Sequence, residues 1–184
     1  GGQNFLEAAR HGRAIVAGPH MENFQSLRRE FLADKAIVVS TDAQELKLQL
    51  DRLLAYFVER KKTAPQAMPM DRVILFALFS TRRQEEITRI RWADLDGDRV
   101  LVRDMKHPGQ KMGNDVFCEL VPEAQAVINL MSRLKEEIFP FSTDAISANF
   151  TRACKFLGIE DLHFHDLRHE GISRLFEMGR TIPQ

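Results

Sequence analysis

The chain has 184 residues and a mass of 21.1 kDa, enough for one ordinary domain or one domain plus an extra segment. Hydrophobic residues make up 44% and charged residues 28%, too apolar for a disordered chain, and no apolar run approaches the ~20 residues of a membrane helix. Basic and acidic residues balance at 26 each, which argues against bulk attraction to nucleic acid but leaves room for a local basic site. No secretory signal opens the chain, and two cysteines, Cys118 and Cys154, are too few for a disulfide framework. A reducing cytoplasm is expected, and a membrane or secreted role is not.

The first twenty residues show no clear period. Gly18-Pro19-His20-Met21 resembles either a cloning remnant or a native loop, and residues 23–35 read as a loose helix or connector. We therefore expect an N-terminal segment over 1–40 and a domain over 41–184. Ser40, Thr41 and Asp42 are helix-capping types, with Glu45 three residues after Asp42. Leu46, Leu50, Leu53, Leu54 and Phe57 follow at helical spacing. Residues 63–69 hold two prolines and form a connector. Residues 71–79 are nearly all apolar and predict a buried helix; a second helix is expected over 83–92, with Ile87 and Ile90 inward.

A short β region comes next. Asp96-Gly97-Asp98 signals a turn, residues 100–102 a strand, residues 106–114 a hairpin tip or loop, and residues 116–121 the returning strand. Pro122 opens a helix lined by Ala124, Val127, Ile128, Met131 and Leu134. Ser142-Thr143-Asp144 caps another, with Ile146, Phe150, Ala153 and Leu157 inward and Gly158 at its end. Residues 165–178 predict a last helix with Leu167, Ile172, Leu175 and Phe176 inward, stopped by Gly179. The fold class is α+β, mainly α, with a small antiparallel sheet.

Three places could carry chemistry. Arg82 and Arg83 follow directly on a buried helix, and Arg83 shares a helix face with Glu86, so a carboxylate can hold the guanidinium fork on an anion. Taken alone, the stretch also reads as a solvated helix start. Lys106 sits in the hairpin, where a lysine can reach into a groove or deliver a proton; most hairpin lysines do neither. His165 and Arg168 lie three apart near a helix start, suited to holding a phosphate. His165 and His169 also have the i, i+4 spacing of some zinc helices, but the pattern holds no Cys partner or catalytic glutamate. His165-Asp166 is found in metal phosphohydrolases too, whose additional distant ligands are not identifiable here. Cys118, Cys154 and Trp92 read as packing residues.

Taken in order, these places resemble the catalytic domain of the tyrosine recombinases, specifically the phage-type integrases, over residues 41–184. Arg83-x-x-Glu86-Ile87 with Arg91-Trp92-Ala93-Asp94-Leu95-Asp96 is similar to the family's first arginine motif. Lys106 stands in the place of its hairpin lysine, and His165-Asp166-Leu167-Arg168-His169 with Ser173 looks like its His-x-x-Arg box. The resemblance implies the family's mainly helical fold with a three-stranded antiparallel sheet. It also implies a tyrosine attack on a DNA phosphate that leaves a 3′-phosphotyrosine and conserves bond energy. No metal and no other cofactor is implied. Arg83 and Arg168 would bind the phosphate, Lys106 would protonate the departing 5′ oxygen, His165 would contact the phosphate, and Glu86 would support the arginines. The implied partners are double-stranded DNA at an attachment or recombination site and sister subunits, with no small-molecule substrate. The implied location is the cytoplasm of a bacterium or phage-infected cell.

The chain departs from the family in one respect. The family's nucleophilic tyrosine, and a second His or Trp, follow the His-x-x-Arg box, and these 184 residues reach Gln184 without them. The single tyrosine, Tyr56, precedes Arg83 and reads as structural. The expectation is a catalytic-domain fragment, inactive by itself. The alternatives are a DNA-binding or regulatory module that keeps the phosphate cradle, and a type IB topoisomerase. The run from Arg103 through Asn114 to Asp115 favours the recombinase.

Overall fold

The computed structural model describes residues 15–17, 37–39, 43–105 and 113–177. The chain divides into two compact units, residues 1–51 and 52–184. In the first, β1 (Ile15–Ala17) pairs in parallel with β2 (Ile37–Val39), Ile15 opposite Ile37. The strand at 15–17 falls in the stretch that shows no clear period; three apolar residues are too short a run to display one. The segments 18–21 and 23–35 lie outside the described residues.

The helix α1 (Ala43–Thr63) begins in the first unit and continues into the second, where it buries Leu53 and Phe57. Its half-exposed Tyr56 stacks on Phe156, and the Tyr56 hydroxyl accepts from Arg60 Nη1 at 3.3 Å, a packing role. After the proline connector comes α2 (Met70–Ser80), which buries Val73, Ile74, Phe76, Ala77 and Leu78. Burying each large side chain fully contributes roughly 1.5–3 kcal/mol, and Phe76 stacks 4.7 Å from the ring of Phe139. This central helix packs against α4 (Pro122–Asn129), α5 (Thr143–Leu157) and α6 (Asp166–Glu177).

Between α2 and α4 lie a short helix, α3 (Gln84–Arg89), a 3-10 turn at Trp92–Asp94, and an antiparallel sheet of β3 (Leu95–Asp96), β4 (Arg99–Val102) and β5 (Val116–Glu119) in that order. Gly97 takes φ 62 in the two-residue link from β3 to β4, a backbone angle that suits glycine.

Four boundaries differ from expectation. The helix foreseen over 83–92 stops at Arg89, because Ile90 turns extended and the Trp92 amide donates to the Glu136 carbonyl at 3.0 Å. The returning strand ends at Glu119, leaving Leu120 and Val121 buried on the way into α4. Leu134 does not line α4: that helix ends at Asn129, and Leu134 is 88% exposed. His165 stands just before α6 rather than inside it. The capping of α5 is as expected: Ser142 Oγ accepts from the Ala145 amide at 3.2 Å, and Gly158 closes the helix at φ 65.

Candidate functional site

The site is built around the C-terminal end of α2. Thr81 caps that helix in the left-handed region, φ 54, with its amide donating to Ala77. A β-branched residue rarely adopts this angle, at a cost of order 1–2 kcal/mol. The twist turns the chain so that successive carbonyls, Ser80 and Thr81, face incoming cations at the negative end of the helix. Arg82 Nε donates to the Ser80 carbonyl at 3.0 Å, and Arg168 Nη1 donates to the Thr81 carbonyl.

Arg83 follows as the residue capping α3. Glu86, one turn in and 4% exposed, accepts from the Arg83 amide at 2.9 Å and from Arg83 Nη1 at 3.2 Å. One buried carboxylate thus fixes both the main chain and the fork of Arg83. Arg168 sits in the first turn of α6, half-buried. Burial pushes its guanidinium down from the usual value, the positive charges of Arg82 and Arg83 add to that, and Glu86 opposes it. The three guanidiniums therefore share one neighbourhood.

His165 borders the same cluster. Its ring meets that of His169 edge-on at 4.9 Å, and partial burial, then His169, Arg168 and Arg83, push it below the ordinary histidine value while Asp166 opposes them. Neutral imidazole is favoured, a form that can accept a proton. Among the described residues no group of three or more His, Cys, Asp or Glu side chains is placed to hold a metal ion.

Lys106 lies outside the described residues, but the base of its hairpin is tightly tied. The Asp104 amide donates to Asp115 Oδ1 at 2.9 Å, the Gly113 amide to Asp104 Oδ1 at 2.7 Å, and the Met105 amide to the Asn114 carbonyl at 2.8 Å. Lower down, the buried carboxylate of Asp94 accepts from both Nε and Nη2 of Arg103, at 3.2 and 2.5 Å, and from the Arg91 amide at 2.9 Å. These hydrogen bonds join the 3-10 turn to the end of β4.

Arg83, Glu86, His165 and Arg168 therefore come together, although Glu86 and His165 are separated by most of the domain in sequence. The sequence alone marks Arg82 without giving it a task, and it gives Cys118 only a packing role. Cys118 is half-buried, and its Sγ accepts from Arg82 Nη1 at 3.0 Å. The doubled arginine after an apolar helix is the signal that points to this pair. Trp92 packs beneath Arg133, whose guanidinium lies 4.5 Å from the ring centre.

A mainly helical domain with a three-stranded sheet and arginines gathered at a helix end defines the class, a tyrosine-recombinase catalytic domain. Residues 46–183 match the phage integrase family, and the chain belongs to it. It is 34% identical over 130 residues to the shufflon-specific DNA recombinase of Escherichia coli; the match covers 70% of this chain and spans only 31% of that recombinase. The fold is similar to the lambda integrase catalytic core, with TM-score 0.54 at 16% identity over 71% of this chain and 81% of that one. It is likewise similar to lambda integrase bound to DNA, with TM-score 0.55 at 16% identity over 83% of this chain and 61% of that one.

Proposed function

We propose that the protein to which these residues belong carries out site-specific DNA recombination or integration. In this reading a tyrosine hydroxyl attacks the scissile phosphate, a 3′-phosphotyrosyl link forms, and the 5′ oxygen leaves with a proton. A 5′ hydroxyl then attacks the link to rejoin the strand. The observation that carries the reading is the convergence of Arg83 and Arg168 beside the end of α2, one fixed by Glu86 and the other by the Thr81 carbonyl. Two forked cations held in place stabilise the charge that builds on the non-bridging phosphate oxygens.

The remaining roles follow from the same chemistry. Lys106 is the general acid for the leaving oxygen. His165, held neutral, hydrogen-bonds the phosphate and manages the nucleophile's proton. Glu86 keeps Arg83 in its rotamer. Double-stranded DNA and sister subunits are the partners and the cytoplasm is the location; the E. coli relative is named as a DNA recombinase, and lambda integrase has been solved on DNA. Residues 41–184 form the catalytic domain after a segment over 1–40. These 184 residues alone bind DNA without cutting it, since Tyr56 is occupied in packing.

Covalent trapping tests the reading. The intact protein, incubated with DNA carrying its recombination site, should form a denaturant-resistant adduct. Arg83→Ala or Arg168→Ala should lower its rate by about 10²–10³. Rates within a few-fold of wild type in both variants would overturn the assignment. DNA binding with no adduct in the intact protein would favour a non-catalytic DNA-binding module.

A further inference from the structure

Arg82 has no task in the scheme above, yet three of its side-chain N–H groups are tied to the turn after α2 and to β5. A guanidinium carries five N–H donors. Arg82 gives one to the Ser80 carbonyl at 3.0 Å, one to the Cys118 thiol at 3.0 Å and one to the Thr81 hydroxyl at 3.4 Å. All three acceptors are uncharged, and Arg82 has no carboxylate partner among the described residues. A neutral side chain could make such links between α2 and β5 without bringing a third positive charge beside Arg168 and Arg83. Gathering like charges in a half-buried place is unfavourable unless an anion joins them.

The charges of the cluster give the same answer. Among the described residues Arg82, Arg83 and Arg168 face one carboxylate, Glu86, which leaves two positive charges unmatched. A phosphodiester carries one negative charge and gains a second as a nucleophile adds to phosphorus. Arg82 and Arg168 also hang from consecutive carbonyls, Ser80 and Thr81, so their forks start from adjacent points of one turn.

We propose that Arg82 is a third phosphate-binding arginine. Fixed by the Ser80 carbonyl, the Thr81 hydroxyl and the Cys118 thiol, it gives its remaining N–H groups to the DNA phosphate that Arg83 and Arg168 engage. This rests on the recombinase reading, because it assumes that the bound anion is a DNA phosphate.

Salt-dependent binding to a DNA duplex of arbitrary sequence tests it on the intact protein. Removing one arginine–phosphate ion pair lowers the slope of log K against log salt by about 0.9. Arg82→Gln, and Arg82→Met, which keeps the stem's packing, should each show about one such step at an unchanged far-UV circular dichroism spectrum. Arg82→Lys should restore most of it. A wild-type slope in either folded variant, while Arg83→Gln and Arg168→Gln each lower it, overturns the role of Arg82 and spares the recombinase reading. Wild-type slopes in all of these variants overturn both. A purely structural strut would move the melting temperature and leave the slope alone.

Discussion

Gly171 of α6 lies directly against the backbone of Leu78 in α2, so close that a β-carbon there would overlap the Leu78 carbonyl oxygen and touch Thr81 Cγ2. The carbonyl is backbone and cannot swing away. Gly171→Ala should therefore push α6 off α2 and cost about 1–3 kcal/mol or more. Because Arg168 sits one turn earlier on α6, cleavage should fall along with the melting temperature. Thermal unfolding and trapping of the same variant check this, and an unchanged melting point would contradict the packing described.

Asp94→Ala should destabilise the protein by about 1–3 kcal/mol, since it leaves the Arg91 amide without its acceptor and cuts Arg103 loose from the 3-10 turn. Urea denaturation measures the loss. Asp94→Asn should recover part of it, because the amide oxygen can still accept from Arg91.

His165 makes stability depend on pH in a defined direction. Its folded value lies below the ordinary 6.5, so the unfolded chain takes the proton first as pH falls. The contribution is fully present above pH 6.5 and is lost as pH drops through the depressed folded value. Melting temperatures across this window should fall less steeply for His165→Gln than for wild type, and an NMR titration of the imidazole should show the lowered value directly.

Chelation should not matter. With the phosphate charge met by arginines, EDTA should leave the rate of adduct formation unchanged. A loss restored by added zinc or magnesium would revive the metal readings of His165 and His169.

The parts legible in the sequence are those set by local rules. The apolar run of α2, the Ser142 and Gly158 caps of α5 and the Gly97 turn each depend on neighbours within a few residues. The errors fall where distant partners decide. Helix α3 ends early because the Trp92 amide finds the Glu136 carbonyl, and Leu134 is exposed because α4 has already stopped. The pairing of Arg83 with Glu86 is readable from an i, i+3 spacing. The hold of Thr81 on Arg168 is not, because it spans 87 residues and depends on an unfavourable backbone angle at a threonine.

That hold has a thermodynamic consequence. The helix that carries Arg168 is docked, in part, through the same carbonyl that aims the arginine. Docking of α6 and completion of the anion site are therefore one equilibrium. Any anion gripped by Arg168 together with Arg83 draws α6 onto α2 and stabilises the domain by an amount that grows with the logarithm of its concentration above Kd. Conversely, a fluctuation that lifts α6 withdraws Arg168 while Glu86 still holds Arg83, so opening leaves half a cradle.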